Sequence, residues 1–254
     1  MTWRSVDGSA VGTSHLESNV PCQDRCVTAT LGDGTIFVAA LADGAGSAAC
    51  AERGADLVCA ALLDAVAQSV NGSHDLGALD DETVRAWFAA ARERIVAEAA
   101  GGDRDVREYA ATALLCVAGD DHTICAQLGD GGIVVRDAAG DYTVAIWPEN
   151  GEYANQTFFI TDDDALDRVA VDRRARVDDV AVFSDGLTRL ALDHGARAAF
   201  RPFFEPILRT VRESARTRDE LRADLVAFLG SDTVNERTDD DKALAAATRT
   251  AGCA

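Results

Sequence analysis

The chain has 254 residues, of which 48% are hydrophobic and 26% are charged, a balance that is typical of a globular protein. Its 43 acidic and 24 basic residues give a formal net charge of −19, so we expect neither nucleic acid nor a membrane as a direct partner. No Pro-, Gly- or Ser-rich linker divides the sequence, and we therefore predict one domain over residues 1–254.

The cysteines favour a reduced, intracellular protein. There are seven of them, an odd number at irregular spacing, and Cys22 and Cys26 have no second pair with zinc-ribbon spacing. Cys59, Cys116 and Cys125 stand in apolar runs, where free cysteine behaves as a small hydrophobic residue. The first eight residues lack the apolar core of a signal peptide, and no stretch reaches the roughly 18 apolar residues of a membrane span. We predict a soluble, cytoplasmic protein.

The first half of the chain predicts a hairpin followed by two helices. Residues 25–31 and 35–42 read as strands joined by the turn residues Gly32-Asp33-Gly34. Apolar residues at three- and four-residue spacing predict a helix over Ser47–Val70, which Asn71-Gly72 would end. The same spacing predicts a second helix over Asp81–Ala100.

The middle of the chain returns to strands. Four runs separated by short turns predict an antiparallel meander: 112–118, 123–128, 132–136 and 142–147. An edge strand is expected near Thr157–Ile160, and Val180–Phe183 reads as a buried strand.

The final part predicts two helices and a strand. Thr217 and Glu220 form a capping box for the second helix, and Gly230 closes it. Residues 243–248 are expected to form a strand, although their alanines prefer helix. Strands and helices are grouped rather than alternating, which indicates an α+β fold with antiparallel sheet.

Four scattered segments each place an aspartate after an apolar, strand-like run or beside further acids. They are Asp43-Gly44, Asp130-Gly131, Asp185-Gly186 and Asp239-Asp240-Asp241. A fold that gathered them would make an oxygen-rich pocket suited to hard divalent cations. Asp33 and Asp141 also adjoin glycine, but their context is that of turn residues only.

These segments, in this order, resemble the protein phosphatase 2C family of metal-dependent serine/threonine phosphatases, particularly its divergent bacterial branch. The resemblance covers nearly the whole chain. It rests on six motifs: residues 12–24, with Gly12-Thr13-Ser14-His15 and Cys22-Gln23-Asp24, then 42–47, 111–113, 127–131, 183–187 and 240–243.

The resemblance implies a four-layer α-β-β-α sandwich of two antiparallel sheets flanked by helices, with two Mg²⁺ or Mn²⁺ ions at one end and a possible third. By resemblance, Asp43 would bridge the two ions. The carbonyl of Gly44 would bind one of them, and Asp185 with Asp240 the other. Three further roles are implied for Asp24, which would orient water, Asp130, which would hold the third ion, and His15, the nearest counterpart of the family's phosphate-binding arginine.

The implied activity is the hydrolysis of phosphomonoesters on serine and threonine by a metal-activated water, with a kinase or a kinase target as the phosphoprotein substrate. Three positions depart from the family pattern: Gln23 replaces an acid, Ala45 replaces a histidine, and Arg189 replaces an acid. These departures leave a pseudophosphatase that acts as a regulatory binding module as the alternative, and hydrolysis of a small phosphoester as a third hypothesis.

Overall fold

Two five-stranded antiparallel sheets stack on each other in the computed structural model, which describes residues 1–70, 75–148 and 157–250. The first sheet has the order β1 (Thr2–Ala10), β12 (Lys242–Thr250), β9 (Val177–Phe183), β6 (Gly132–Asp137) and β7 (Tyr142–Ile146). The second has the order β2 (Asp24–Leu31), β3 (Ile36–Asp43), β4 (Ala113–Ala118), β5 (His122–Leu128) and β8 (Ala170–Ala175).

Helices cover the outer face of each sheet. The second sheet packs against α2 (Ala51–Val70) and α3 (Asp81–Gly101), and the first against α5 (Arg201–Glu213) and α6 (Arg218–Leu229). The short elements are α1 (Thr13–Ser18), α4 (Thr188–Ala191), β10 (Leu192–Asp193), β11 (Ala198–Ala199) and α7 (Asp232–Asn235). The predicted four-layer α-β-β-α sandwich is therefore confirmed, while the single domain over 1–254 stays a prediction.

Apolar side chains fill the three interfaces of the sandwich, one between the two sheets and one between each sheet and its helices. The layer between the sheets contains Trp3, Phe37 and Leu114, all at most 7% exposed, and the rings of Trp3 and Phe37 lie 5.2 Å apart. The outer layers join each sheet to its helices. Strand β12 runs between β1 and β9, and its alanines 243, 245 and 247 face the second sheet. Pairing on both sides explains why this alanine-rich segment is a strand, because tertiary context overrides helix propensity.

The predicted meander is wrong at its centre. Strand β5 pairs with β4 and β8 in the second sheet, whereas β6 pairs with β7 and β9 in the first. The chain therefore crosses between the sheets at residues 129–131. The Gln127 side-chain amide stabilises the crossing by donating to the carbonyls of Gly129 (3.1 Å) and Gly131 (2.8 Å). Short turn-separated strands look the same in sequence whether or not the chain changes sheets.

Several other elements differ in extent or type from those predicted from the sequence. The predicted edge strand at 157–160 is not a strand; Ile160 instead donates one hydrogen bond to the Ala111 carbonyl, 2.9 Å. Strands β1 and β8 were not predicted. Helix α2 begins at Ala51 rather than Ser47, because Ala45 and Cys50 donate to carbonyls of residues 108–110. The capping box of α6 is confirmed, and the predicted stop at 71–72 lies outside the described residues.

The cysteines of the described ranges are free thiols, as predicted. Cys116 and Cys125 face each other across the β4–β5 ladder with their sulfur atoms 3.8 Å apart. Within the same ranges, no helix is both long enough and apolar enough to cross a membrane.

Candidate metal centre

The acidic residues identified from the sequence lie at one end of the sandwich, because the strands that carry them end there. In the second sheet, the β2–β3 ladder pairs Asp24 with Asp43. In the first sheet, Phe183 at the end of β9 pairs with Leu244 near the start of β12 and with Gly132 at the start of β6. The remaining acids adjoin these strand ends: Asp130, Asp185 and Asp240.

Three carboxylates form the centre of the cluster. One carboxylate oxygen each from Asp43, Asp130 and Asp185 lies within 4.8 Å of the other two. All three side chains are half-buried, and Asp130 Oδ2 accepts a 2.6 Å hydrogen bond from Thr157 Oγ1. Oxygen atoms at this spacing can ligate one hard cation, which prefers carboxylate and carbonyl donors.

Asp24 lies beneath this group and is only 1% exposed. In the part of the chain that the structure describes, neither of its carboxylate oxygens has a hydrogen-bond partner, and Asp185 Oδ1 has none either. Buried polar atoms are normally satisfied, so such orphaned oxygens indicate a missing cationic or water partner.

The raised pKa values of the acids also indicate a site for a cation. Burial raises the pKa of Asp24 and Asp43 well above the usual value, and their neighbouring carboxylates add to both shifts. Burial, followed by the charge of Asp130, raises the pKa of Asp185 to about 6. Carboxylates that repel one another in this way are stabilised by a divalent cation, and an all-oxygen donor set fits a hard one.

Asp241 organises the chain around the cluster. Its Oδ1 accepts a 2.6 Å hydrogen bond from the Gly12 amide, and its Oδ2 accepts one of 2.6 Å from the Gln23 amide. The same Oδ2 lies 3.0 Å from His15 Nδ1. The sequence pattern indicates Asp241 only as a member of the acidic trio, without a role of its own.

A close backbone contact fixes the Asp185 turn against the acidic trio. A Cβ atom on Gly186 would lie 2.0 Å from the carbonyl oxygen of Asp241, so any larger residue must displace one segment. Ser184 reinforces the contact, because its Oγ accepts a 2.9 Å hydrogen bond from the Ala243 amide. Asp185 and Asp240 are thus held in a fixed relation.

Thr112 positions the end of β3. Its Oγ1 accepts a 2.9 Å hydrogen bond from the Asp43 amide, and its own amide donates to the Asp43 carbonyl, 2.8 Å. The sequence marked residues 111–113 only as a motif. The single feature that could have identified the role of Thr112 is a hydroxyl at the start of a strand of otherwise apolar residues.

These residues surround one cavity of about 220 Å³. Its walls contain most of the predicted site residues: His15, Asp43, Gly44, Asp130, Asp185 and Asp240. Of the described residues that line it, only His15 carries a basic side chain. Gln23 and Ala45, two of the departures from the family pattern, also line the cavity, whereas Arg189 lies in the wall of another one.

Comparison with known sequences agrees with this fold and site. Residues 11–230 match the sequence model of the family described as protein phosphatase 2C. The chain is 40% identical to serine/threonine-protein phosphatase 3 of Escherichia coli (strain K12) over 255 residues, which cover 97% of this chain and 98% of that protein. The chain belongs to the protein phosphatase 2C family, and the predicted enzyme class, a phosphoprotein phosphatase, is confirmed.

Solved structures share the fold at low sequence identity. The crystal structure of the serine/threonine phosphatase Stp1 from Staphylococcus aureus has a TM-score of 0.64 at 14% identity, with 98% of this chain and 96% of that chain covered. PppA, described as a key regulatory component of T6SS in Pseudomonas aeruginosa, has a TM-score of 0.61 at 18% identity, with 98% of each chain covered.

Proposed function

We propose that this protein is a metal-dependent serine/threonine protein phosphatase whose active centre is the acidic cavity at the end of the sandwich. The observation that carries the proposal is the group of Asp43, Asp130 and Asp185, whose carboxylate oxygens lie within 4.8 Å of one another. The 40% identity to a serine/threonine-protein phosphatase supports phosphoserine and phosphothreonine proteins as the substrates.

Two Mg²⁺ or Mn²⁺ ions would be held by Asp43, the Gly44 carbonyl, Asp185 and Asp240, and a third by Asp130. When bound, such ions lower the pKa of water and neutralise charge on phosphoryl oxygens. The all-oxygen donor set and the orphaned oxygens of the buried acids support this assignment.

Asp24 acts as a second acidic layer behind the metal ligands. It is buried, is paired with Asp43 across the β2–β3 ladder and does not line the cavity, so its carboxylate would act on metal-bound water from behind Asp43. It therefore orients the attacking water rather than the substrate.

His15 provides the cationic contact for the phosphate. Its Nδ1 lies 3.0 Å from Asp241 Oδ2, which leaves Nε2 as the nitrogen available to an oxygen of the phosphate group; donation to both partners requires the doubly protonated imidazolium. A histidine held by a carboxylate can stabilise negative charge on the phosphate, a role for which this cavity has no arginine among its described lining residues. We assign His15 to substrate binding and, through that contact, to catalysis.

A kinase or a kinase target as the substrate, and a cytoplasmic location, stay predictions from the sequence. The retained acids favour turnover over the alternative of a pseudophosphatase, whose support is Gln23, Ala45 and Arg189.

The experiment that tests this function is phosphate release from three matched peptides that carry phosphoserine, phosphothreonine or phosphotyrosine. Each is assayed with EDTA, with Mg²⁺ and with Mn²⁺. We expect release from the first two peptides only when a divalent ion is present. Metal binding without phosphate release from any peptide would instead establish the pseudophosphatase.

A further inference from the structure

A large apolar cavity lies between α5 and α6, on the outer side of the first sheet. Its volume is about 820 Å³, which is within the range of small-molecule sites in proteins. Its apolar walls include Phe200, Phe203 and Ile207 on the α5 side and Leu221, Leu225 and Phe228 on the α6 side. Phe200 and Phe228 are 47% and 38% exposed, which is unusual for large aromatic side chains.

The cavity is a consequence of how the two helices are anchored. Helix α6 packs on β1, where Gly8 admits Val226 at a distance that a Cβ atom would not allow. Helix α5 packs on β12, and Arg212 holds it to the buried Asp179. Because each helix is fixed to a different strand, neither can move across to close the gap.

Unpaired positive charge lines the same cavity. In the described part of the chain, the guanidinium groups of Arg189 and Arg237 have no ion pair or hydrogen bond. The acidic groups in the wall are already engaged: Asp224 pairs with Arg216, and Asp193 Oδ1 accepts a 2.9 Å hydrogen bond from the Ala196 amide. Both arginines are exposed while they line the cavity, so their guanidinium groups are open to a ligand that enters it.

We propose that this cavity binds a small amphipathic carboxylate, with its hydrocarbon body between α5 and α6 and its carboxylate at Arg189 and Arg237. The volume and the apolar walls fit the hydrocarbon body. The arginines fit the head group, because a guanidinium stays charged and presents paired donors to a carboxylate.

Two short chain segments link the cavity to the metal centre, although the two cavities share no lining residue. Arg189 follows Asp185 by four residues in α4, and Arg237 precedes Asp240 by three. A ligand that engages both arginines therefore contacts the two chain segments that carry Asp185 and Asp240. Binding that shifts either segment would change the affinity for metal, and by thermodynamic reciprocity metal binding would then change the affinity for the ligand by the same factor. This coupling rests on the proposed function, whereas binding to the cavity does not.

The test is calorimetric titration of the metal-free protein in EDTA with three probes of equal chain length: dodecanoate and dodecyltrimethylammonium below their micellar concentrations, and dodecanol below its solubility limit. We expect dodecanoate to bind at one site per chain, about tenfold more tightly than the alcohol, because a hydrogen bond to a charged group contributes that much. Equal binding of all three probes, or no binding of dodecanoate, overturns the proposal.

Substitutions locate the site. Arg237→Ala should weaken dodecanoate binding about tenfold and leave dodecanol binding unchanged. Arg209→Ala is the matched control, because Arg209 is exposed on α5 and lies outside the cavity. Thr210→Trp, at an exposed position of the wall, should occupy part of the cavity and weaken the binding of dodecanoate and dodecanol alike, while circular dichroism shows an unchanged fold.

Two outcomes would contradict this location. Dodecanoate binding that neither Arg237→Ala nor Thr210→Trp weakens would place the ligand elsewhere. A wild-type dimer in light scattering that Thr210→Trp converts to a monomer would mean that a second copy of the chain occupies the cavity. Because every titration is done without metal, inactivity of the enzyme would not affect these results.

Discussion

Asp24 and Asp43 occupy directly paired positions of the β2–β3 ladder, at the open end of one hairpin. Like charges at directly opposed positions destabilise a sheet, and Asp24 is almost completely buried as well. The hairpin therefore carries an electrostatic strain that a bound cation would relieve, which ties folding stability to metal binding.

Asp24→Asn should stabilise the metal-free protein and weaken its function. Removal of one buried, repelled carboxylate is expected to raise the melting temperature in EDTA by about 2–4 °C, which corresponds to roughly 1 kcal/mol for a domain of this size. Phosphatase activity should fall, because the carboxylate that orients water is lost. A lower melting temperature in EDTA would show that Asp24 is satisfied without a metal.

Gly186→Ala should displace the Asp185 turn from the acidic trio. The new methyl group would meet the Asp241 carbonyl, so we expect lower Mn²⁺ affinity in calorimetry and at least a tenfold loss of turnover. Gly101→Ala is the control, because a Cβ atom there has no neighbour within 4 Å. Equal metal affinity in the two variants would contradict the close contact.

His15→Gln tests the phosphate contact. Loss of a charge-assisted hydrogen bond is expected to reduce kcat/KM by about 10–100-fold, with a higher KM for phosphopeptide and an unchanged Mn²⁺ affinity. His122→Ala, at an exposed position on the far end of β5, should have no effect. If His15→Gln changes only the affinity for Mn²⁺, His15 acts on the metal site rather than on the substrate.

Asp179 should make folding stability depend on pH. Burial raises its pKa, but hydrogen bonds from Arg136, Arg212 and Thr248 outweigh this effect and hold the pKa below its usual value. Its contribution to the free energy of unfolding is therefore fully present above about pH 4, the pKa of the unfolded chain, and is lost as the pH falls through the lowered value.

Urea unfolding of wild type and Asp179→Asn measures this contribution. We expect a destabilisation of about 3 kcal/mol at pH 7, the lower end of the range for a broken buried ion pair, because the half-buried Arg136 and Arg212 stay partly hydrated when they lose their charge partner. The difference should shrink as the pH falls from about 4 toward about 2. A difference that stays constant over this range would mean that Asp179 does not titrate with folding.

Most of the helices and strands could be predicted from the sequence, but the sheet to which each strand belongs could not. Periodicity identified the hairpin of β2 and β3 and the helices α2 and α3, because each has a regular apolar face. It did not reveal that the chain leaves one sheet at Leu128 and enters the other at Gly132, since this depends on packing between distant strands. Strand β1 escaped prediction because its pairing partner, β12, lies at the opposite end of the chain.

The residues of the candidate site could be predicted from the sequence, but the hydrogen bonds that connect them could not. Asp43, Asp130 and Asp185 follow apolar strands, a local pattern that sequence reasoning can find. The role of Asp241 depends on the Gly12 and Gln23 amides, which lie more than 200 residues away in the chain. No local pattern encodes such a contact.

The measurement that tests the central claim most directly is hydrolysis of p-nitrophenyl phosphate with and without millimolar Mn²⁺, by wild type, Asp43→Asn and Asp33→Asn. The two substitutions make the same chemical change at opposite ends of the β2–β3 hairpin, and Asp33 lies in its turn. We predict Mn²⁺-dependent turnover that Asp33→Asn retains and Asp43→Asn abolishes. Equal turnover by all three proteins, or turnover that persists in EDTA, would contradict the assignment of the acidic cavity as the metal-dependent active centre.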